Sequence, residues 1–180
     1  AYGMNAVYPH GHHGNAIVSR HEIGVFLNHD ISDHVLEKRG LLHAVSHYKG
    51  RNGSVEIHLI NTHFGLIKRS RVRQAAFLVD FVRSEVPPGA PLIIAGDFND
   101  WSNRAGHKMA QRLGLTEVFS APGRPGKPVR SFPAALPMFR LDRIYVRGFE
   151  VQRTEVHFGQ PWSAISDHAA LSAHLAHHGR

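Results

Sequence analysis

The chain has 180 residues, of which 42% are hydrophobic and 19% charged, and this describes one folded domain with a substantial core. No apolar run approaches the ~20 residues of a membrane helix, and no signal segment opens the chain, so we expect a cytoplasmic protein without a transmembrane segment. Cysteine is absent, which excludes disulfides, thiol catalysis and zinc-thiolate sites. The formal net charge of +7 favours an anionic partner.

Strands are predicted in the first third of the chain, where runs rich in β-branched residues alternate with turn signals. The predicted strands span 15–19, 23–27, 41–48 and 54–62. The Asn52-Gly53 dipeptide between the last two is a strong hairpin signal. Residues 8–14 place His10, His12 and His13 among glycines and are predicted to form a loop. These histidines could hold a transition metal, form a structural polar loop, or face the substrate.

A long helix is predicted over 67–85, because apolar residues recur there at helical spacing. Its predicted inner face contains Val72, Ala75, Ala76, Val79 and Val82, and Pro87 ends the helix. The remaining predicted elements are a buried strand at 91–95, a helix at 103–114, a long loop at 121–140, and strands at 143–147, 150–158 and 169–175.

Several chemically active side chains lie at the ends of these predicted strands. His63 follows 54–62 and Asp97 follows 91–95, and a right-handed strand–helix–strand crossover brings both to one sheet edge. Asn99 lies two residues after Asp97, so an extended chain would point both side chains the same way. Strands that run antiparallel to these two would add residues from their starting ends. The residues so added are Asp142, Asp167 and His168.

Carboxylates and neutral imidazoles around a hard cation suit the hydrolysis of a phosphate ester. Each of these residues alone has an ordinary structural explanation, such as a turn after a strand. Their joint placement at one edge is the observation that favours an active site.

Five motifs in this order resemble the endonuclease/exonuclease/phosphatase superfamily with the DNase I-like fold, and most of all its compact bacterial members. The motifs are GNAIVSR (14–20), NTHFGL (61–66), IIAGDFND (93–100), LDRIYV (141–146) and SDHAALSA (166–173). The resemblance covers essentially the whole chain, 1–180, as a single domain. It implies an α/β (or α+β) four-layer sandwich, in which two mixed β-sheets pack together and the helices lie outside.

The resemblance also implies metal-dependent hydrolysis of phosphodiester or phosphomonoester bonds by direct attack of water, with Mg²⁺ or Mn²⁺. Asp97 would activate or orient the water, and Asn99 would bind the phosphate and the transition state. His63 would contact the phosphate or protonate the leaving group.

The other motifs imply further roles. Asp142 would orient His168, whose imidazole is then fixed in tautomer and favoured as a cation. Asp167 would bind the metal. Asn15 and Arg20, which belong to the first motif, would bind the substrate.

The sequence departs from the family at one point, because it contains no Gln-Glu pair, and the glutamate of that pair is the family's principal metal ligand. We therefore expect the chain to be the C-terminal two-thirds to three-quarters of the domain, and to be weakly active or inactive because this metal-binding glutamate is absent. An edge left open by truncation could drive self-association.

Three functions remain open from the sequence. The basic charge favours a nuclease, and basic residues precede or follow several predicted site residues. The basic residues are Lys68, Arg69, Arg71, Arg73, Arg124, Lys127, Arg130 and Arg140. A lipid or small-molecule phosphoesterase is the alternative within the same chemistry. A catalytically impaired fragment that acts only as a binding or structural module is the alternative of another class.

Overall fold

The computed structural model describes residues 1–50, 53–102, 104–120 and 129–177. In chain order the elements are β1 (Tyr2–Tyr8), β2 (Gly11–Ala16), β3 (Glu22–Asp30), β4 (Gly40–Gly50), β5 (Gly53–His63), α1 (Lys68–Glu85), β6 (Leu92–Asp97), α2 (Arg104–Leu113), β7 (Thr116–Glu117), β8 (Asp142–Arg147), β9 (Phe149–His157) and β10 (Ala170–His177). Two short 3₁₀ helices occupy Val118–Ser120 and Trp162–Ala164. Within these described ranges, no helix combines the length and hydropathy needed to cross a membrane.

A six-stranded mixed sheet forms the centre of the fold, with the strand order β3-β4-β5-β6-β8-β7. Strands β5 and β6 are parallel, because α1 carries the chain back between them, and the other neighbours are antiparallel. The predicted strand–helix–strand unit is therefore confirmed. So is the predicted hairpin of β4 and β5, in which Gly50 pairs with Gly53.

The two faces of the sheet are covered differently. On one face α1 and α2 pack over β6, and Leu78, Leu92 and Ile94 are fully buried there. On the other face β9 and β10 form an antiparallel hairpin whose Leu171 and Leu175 pack in a second cluster with Val146. Helices, central sheet and hairpin thus form the layers of a mixed-sheet α/β sandwich with few helices, as the sequence predicts.

The long helix occupies its predicted position, but its inner face differs from the prediction. Val72 and Ala76 are exposed, whereas Gln74 is buried. The amide of Gln74 explains why α1 turns a different face to the core. Its oxygen accepts the backbone N–H of Gly65, and its nitrogen donates to the carbonyl of Ile31. A buried polar side chain with both ends bonded is tolerated in a core, so helical spacing of apolar residues alone misplaces the face.

The predicted strand at 15–19 and the predicted loop at 8–14 are both wrong. Residues 2–16 form a hairpin of β1 and β2, and β2 ends at Ala16. His12 and His13 therefore lie on a strand, where their rings meet the hydroxyl groups of Tyr2 at 2.7 Å and Tyr8 at 3.4 Å. Cross-strand tyrosine–histidine pairs supply an order that the glycine-rich pattern does not suggest.

The remaining predicted elements correspond to α2, β6, β8, β9 and β10 within two residues at each end. Residues 121–128 of the predicted long loop, with Arg124 and Lys127, lie outside the described residues, as does Asn52. The described part of that loop contains the bridge between Phe132 and Phe139. Strand β3 forms one edge of the sheet, and self-association through an open edge stays a prediction.

Candidate active site

Three neighbouring strands, β5, β6 and β8, bring His63, Asp97 and Asp142 together at the same end of the central sheet. In the strand register His63 is paired with Asp97, and Asp97 is paired with Asp142. Adjacent strands are about 4.8 Å apart, so three polar side chains stand next to one another at the same level. His63 Nε2 lies 3.4 Å from Asp97 Oδ2. The structure therefore confirms the predicted meeting of these strand ends. Together with His168, these three residues form a group that we call the catalytic row.

His168 joins the row from the turn before β10. Its Nδ1–H donates to Asp142 Oδ2 at 2.7 Å, and Ser166 Oγ accepts the backbone N–H of His168 at 3.1 Å. The hydrogen bond from the imidazole to Asp142 raises the pKa of His168 above its usual value, against the opposing effect of burial. The carboxylate therefore fixes the ring tautomer and favours the imidazolium form.

Asp97 lies at the centre of the row and is mostly buried. Burial, and after it the negative charge of Asp142, raises the pKa of Asp97, while a hydrogen bond from the backbone N–H of Asn99 opposes the rise. Two carboxylates that share a partly buried edge repel each other. The row therefore concentrates negative charge where a cation would relieve it.

Asn99 does not extend the strand, contrary to the geometry predicted from its spacing. Its φ of 47° places it in the left-handed region, immediately after β6 ends at Asp97. Its side chain is buried, and Nδ2 donates to the carbonyl of Phe64 at 2.9 Å. Asn99 therefore ties the end of β6 to the segment that follows β5, and so it fixes the spacing between Asp97 and His63.

Burial dominates the electrostatics of His63. It lowers the pKa of His63 to about 4, and the positive charge of Arg39 acts in the same direction. At neutral pH this imidazole is therefore uncharged. An uncharged ring donates one hydrogen bond through its N–H and accepts one at its other nitrogen.

Asp97, Asp142 and His168 each offer a ligand atom, and these atoms lie within 4.8 Å of one another. The carboxylate oxygens suit Mg²⁺ or Mn²⁺, and the imidazole is accepted more readily by Mn²⁺ than by Mg²⁺. Asp167 is exposed, and its carboxylate lies outside this group of mutually close atoms. Its negative charge still contributes to raising the pKa of His168.

The two predicted substrate-binding residues, Asn15 and Arg20, lie outside the catalytic row. Asn15 is buried, and its Nδ2 donates to the carbonyls of Gly40 at 2.8 Å and Asn61 at 3.2 Å. It therefore connects β2 to the central sheet. Arg20 is exposed in the bend before β3, without a hydrogen bond or ion pair to any part of the chain that the structure describes.

The predicted basic run at the start of α1 is partly engaged in the fold. Arg71 donates to the carbonyls of Gly65 and Leu66, and Arg73 pairs with Asp33. Lys68 and Arg69 are exposed. In the loop before β8, Arg140 pairs with Glu117 at 3.0 Å.

Two residues that support the row carry no signal in the sequence. Ser131 is fully buried, and its Oγ accepts the backbone N–H groups of Leu141 and Asp142. The ring of Phe132 lies 5.0 Å from that of His168. Both residues come from the proline-rich loop, whose path over the sheet edge only the folded chain defines.

The chain belongs to the endonuclease/exonuclease/phosphatase family, whose model matches residues 1–168. It is 42% identical over 177 residues to the protein YbhP of Escherichia coli K12, and the match covers 97% of this chain. The chain spans about two thirds (67%) of the length of that relative.

Solved structures of the family share the fold. The mannosyl-6-phosphatase Bt3783 of Bacteroides thetaiotaomicron superposes with a TM-score of 0.66 at 20% identity, over 86% of this chain and 67% of that one. TDP2 of Danio rerio, in complex with a single-strand DNA product, superposes with a TM-score of 0.65 at 18% identity, over 86% and 68%. The DNase I-like architecture expected from the motifs is therefore confirmed.

Proposed function

We propose that this chain is a metal-dependent phosphoesterase that hydrolyses phosphodiester or phosphomonoester bonds by direct attack of water, in the manner of a nuclease. The observation that carries the proposal is the meeting of Asp97, Asp142 and His168 within 4.8 Å, beside an uncharged His63. Family membership supports the reaction class, because members of the family are hydrolases that act on phosphate esters.

The donor set fits a divalent cation such as Mg²⁺ or Mn²⁺. Asp97 and Asp142 would hold it through their carboxylates, and Asp167 is the predicted further ligand on the neighbouring turn. When bound, the ion would lower the pKa of a water molecule and neutralise charge on the phosphate. The raised pKa of Asp97, caused by burial and by Asp142, is the sign of repulsion that such a cation would relieve.

The side chains of the row supply the other parts of the reaction. Asp97 would orient the attacking water and accept its proton, because its carboxylate lies at the centre of the row beside His63. Asp142 favours the imidazolium form of His168, and this cation would stabilise the negative charge that develops on the phosphate. His63 would donate a hydrogen bond to the phosphate, because its lowered pKa leaves it no proton for the leaving group.

The roles of the remaining predicted residues follow from the hydrogen-bonding groups that their side chains do not use within the fold. Asn99 uses its amide N–H on the carbonyl of Phe64, which leaves its oxygen for a ligand and makes it a positioning residue. Asn15 is a positioning residue as well, since its amide bonds to the backbone of β4 and β5. Arg20 is exposed before β3, and its neighbour His21 lies against Tyr48 at the end of β4 that is far from the row, so Arg20 could contact only a substrate that extends that far.

Nucleic acid is the substrate class that we favour. The net charge of +7 and the exposed Lys68 and Arg69 at the start of α1 suit a polyanionic backbone, and the structural neighbour TDP2 was solved with a DNA product. A small phosphate ester is the alternative, which the neighbouring mannosyl-6-phosphatase favours. Turnover of supercoiled plasmid, p-nitrophenyl phosphate and phospholipid vesicles would distinguish nuclease, small-molecule and lipid phosphoesterase.

The proposal is tested by turnover of bis-p-nitrophenyl phosphate by the purified chain. We expect weak turnover with Mg²⁺ or Mn²⁺, because the chain lacks the Gln-Glu pair that holds the family's principal metal ligand. A chelator should abolish the turnover, and returning the cation should restore it. The variant His168→Ala should lose the activity, whereas His107→Ala, which changes an exposed histidine of α2, should keep it. A folded wild-type chain without turnover on any of these esters would contradict the proposal and favour a binding module.

A further inference from the structure

Arg39, immediately before β4, lies at the end of the catalytic row that is opposite to Asp142. Leu41 is paired with Thr62 in the strand register, so Arg39 stands beside the end of β5, where His63 leaves the sheet. Its positive charge influences the pKa values of both His63 and Asp97. The catalytic row is thereby extended across one more strand by a permanent cation that the sequence motifs do not include.

The guanidinium of Arg39 is held in place by Glu37. Its Nη2 donates to Glu37 Oε1 at 2.9 Å, and both side chains are only 13% exposed. The same carboxylate oxygen accepts the backbone N–H of Leu66 at 3.0 Å, in the segment just after His63. Glu37 also packs closely against Gly65, where a Cβ atom would lie 2.5 Å from its Oε2. The two carboxylate oxygens of Glu37 are thus held against Leu66 and Gly65, and this carboxylate holds the guanidinium of Arg39 in one orientation.

One donor of Arg39 is left without a partner. Its Nε is buried and makes no hydrogen bond with any residue that the structure describes. A buried N–H without an acceptor is unfavourable, and an anionic oxygen is the acceptor that a guanidinium binds best. Nη2 carries two N–H groups, of which one goes to Glu37, so Nε–H and the other Nη2–H can donate to oxygens of a phosphate. Arg39 also lines a cavity of about 380 Å³, together with Lys38 and His13 among others.

We propose that Arg39 binds non-bridging oxygens of the substrate phosphate through Nε–H and Nη2–H, and that Glu37 is its positioning residue. The inference rests on the proposed phosphoesterase function and names a phosphate ligand for that site. Arg39 is a better candidate than Arg73 of α1, because Arg73 already gives both Nε and Nη2 to Asp33.

The experiment compares wild type, Arg39→Ala and Arg39→Lys for the binding of inorganic phosphate by calorimetry and for KM on bis-p-nitrophenyl phosphate. Arg39→Ala should weaken phosphate binding and raise KM by about 10-fold or more, as expected when a charged donor is lost. Arg39→Lys should recover part of the loss, because it keeps the charge without the fork. The matched control is Arg73→Ala, which removes an arginine from the ion pair with Asp33 on the same loop and should leave both values unchanged.

The outcomes separate this inference from the proposed function. A wild-type chain that binds phosphate without turning over the ester would contradict the function alone, and phosphate binding would still decide the role of Arg39. Equal phosphate affinity in wild type and Arg39→Ala would overturn the role of Arg39 alone. Equal losses in Arg39→Ala and Arg73→Ala would also overturn it, since loosening of the loop would then explain both. Absence of phosphate binding by wild type would overturn it as well.

The positioning role of Glu37 has its own test. Glu37→Gln keeps an oxygen for the N–H of Leu66 but removes the negative charge that faces Arg39. It should weaken phosphate binding several-fold in the wild-type background and produce no further loss in the Arg39→Ala background, because coupled residues are not additive. Additive losses in the double variant would show that Glu37 does not act through Arg39.

Discussion

Two pairs of side chains show how the partner determines what a histidine can do in this fold. At the sheet edge His168 bonds to the carboxylate of Asp142, and the pKa of His168 is raised. On the helix-covered face His43 bonds to His58 at 3.0 Å with parallel rings, and burial, followed by the charge of His58, lowers the pKa of His43 to about 4. The carboxylate of the first pair favours the charged form of its imidazole, whereas burial in the second pair favours the uncharged form.

The difference follows from the neighbours that the strands supply. The ring of His43 lies 5.3 Å from that of Phe81 of α1, so its surroundings are mainly apolar. The ring of His168 is also against an aromatic side chain, Phe132, yet the carboxylate of Asp142 outweighs the effect of burial. Burial alone therefore does not identify a functional histidine in this protein. The hydrogen-bonded carboxylate of Asp142 at the strand end is what distinguishes His168 from His43.

The largest expected effect concerns the carboxylate at the centre of the catalytic row. Asp97→Asn should lower kcat on bis-p-nitrophenyl phosphate by about 100-fold or more, since the amide can neither accept a proton nor bind a cation as the carboxylate does. Its folded structure should persist, because the amide oxygen can still accept the N–H of Asn99. The exposed Asp80 of α1 provides the control, and Asp80→Asn should retain wild-type kcat. Comparable activity in both variants would contradict the role of Asp97.

A smaller effect is expected at Ser131, which supports the row without belonging to it. Ser131→Ala removes the acceptor of two buried backbone N–H groups, those of Leu141 and Asp142. The free energy of unfolding should fall by about 1–3 kcal/mol in chemical denaturation. In contrast, Ser84→Ala on the exposed side of α1 should change it by no more than about 0.5 kcal/mol. A Ser131→Ala variant as stable as Ser84→Ala would show that the loop does not depend on this hydroxyl group.

The smallest expected effect concerns the His43–His58 pair and depends on pH. The pKa of His43 in the folded chain, about 4, lies below the usual 6.5, so its stabilising effect is complete above pH 6.5 and is lost as the pH falls towards 4. Between pH 6.5 and pH 4, the free energy of unfolding should fall by about 1–2 kcal/mol less in His43→Gln than in wild type, after allowance for solvent screening. Denaturant titrations at several pH values measure this, with His107→Gln as the control. An unchanged pH dependence in His43→Gln would refute the account of this pair.

The meeting of these strand ends was predictable from the sequence. The crossover rule brings His63 and Asp97 together, and Asp142 joins them because β8 runs antiparallel to β6. The hairpin of β1 and β2 was not predictable in this way, because β2 is polar and glycine-rich and is ordered by contacts such as that of His12 with Tyr2 of β1. The inner face of α1 was misplaced for a related reason, since the buried Gln74 bonds to two backbone groups far away in sequence.

The supporting residues of the site were not predictable either. Asn99 adopts a left-handed conformation and bonds to Phe64, so spacing along an extended chain gave the wrong direction for its side chain. Arg39 and Glu37 lie in a connection between strands and carry no motif. Their relation to His63 arises only when the segment after β5 folds against them. Side chains that act through long-range backbone contacts therefore require the structure.

The most direct test of the account is a double-mutant cycle for Asp142→Asn and His168→Gln, measured as kcat on bis-p-nitrophenyl phosphate with Mg²⁺ or Mn²⁺. If Asp142 acts by holding His168 as an imidazolium, each single variant should lose about 100-fold in kcat. The kcat of the double variant should then be no lower than that of the less active single variant, because the effects of residues that act as a unit are not additive. Losses that multiply in the double variant, or either single variant with wild-type kcat, would contradict the account.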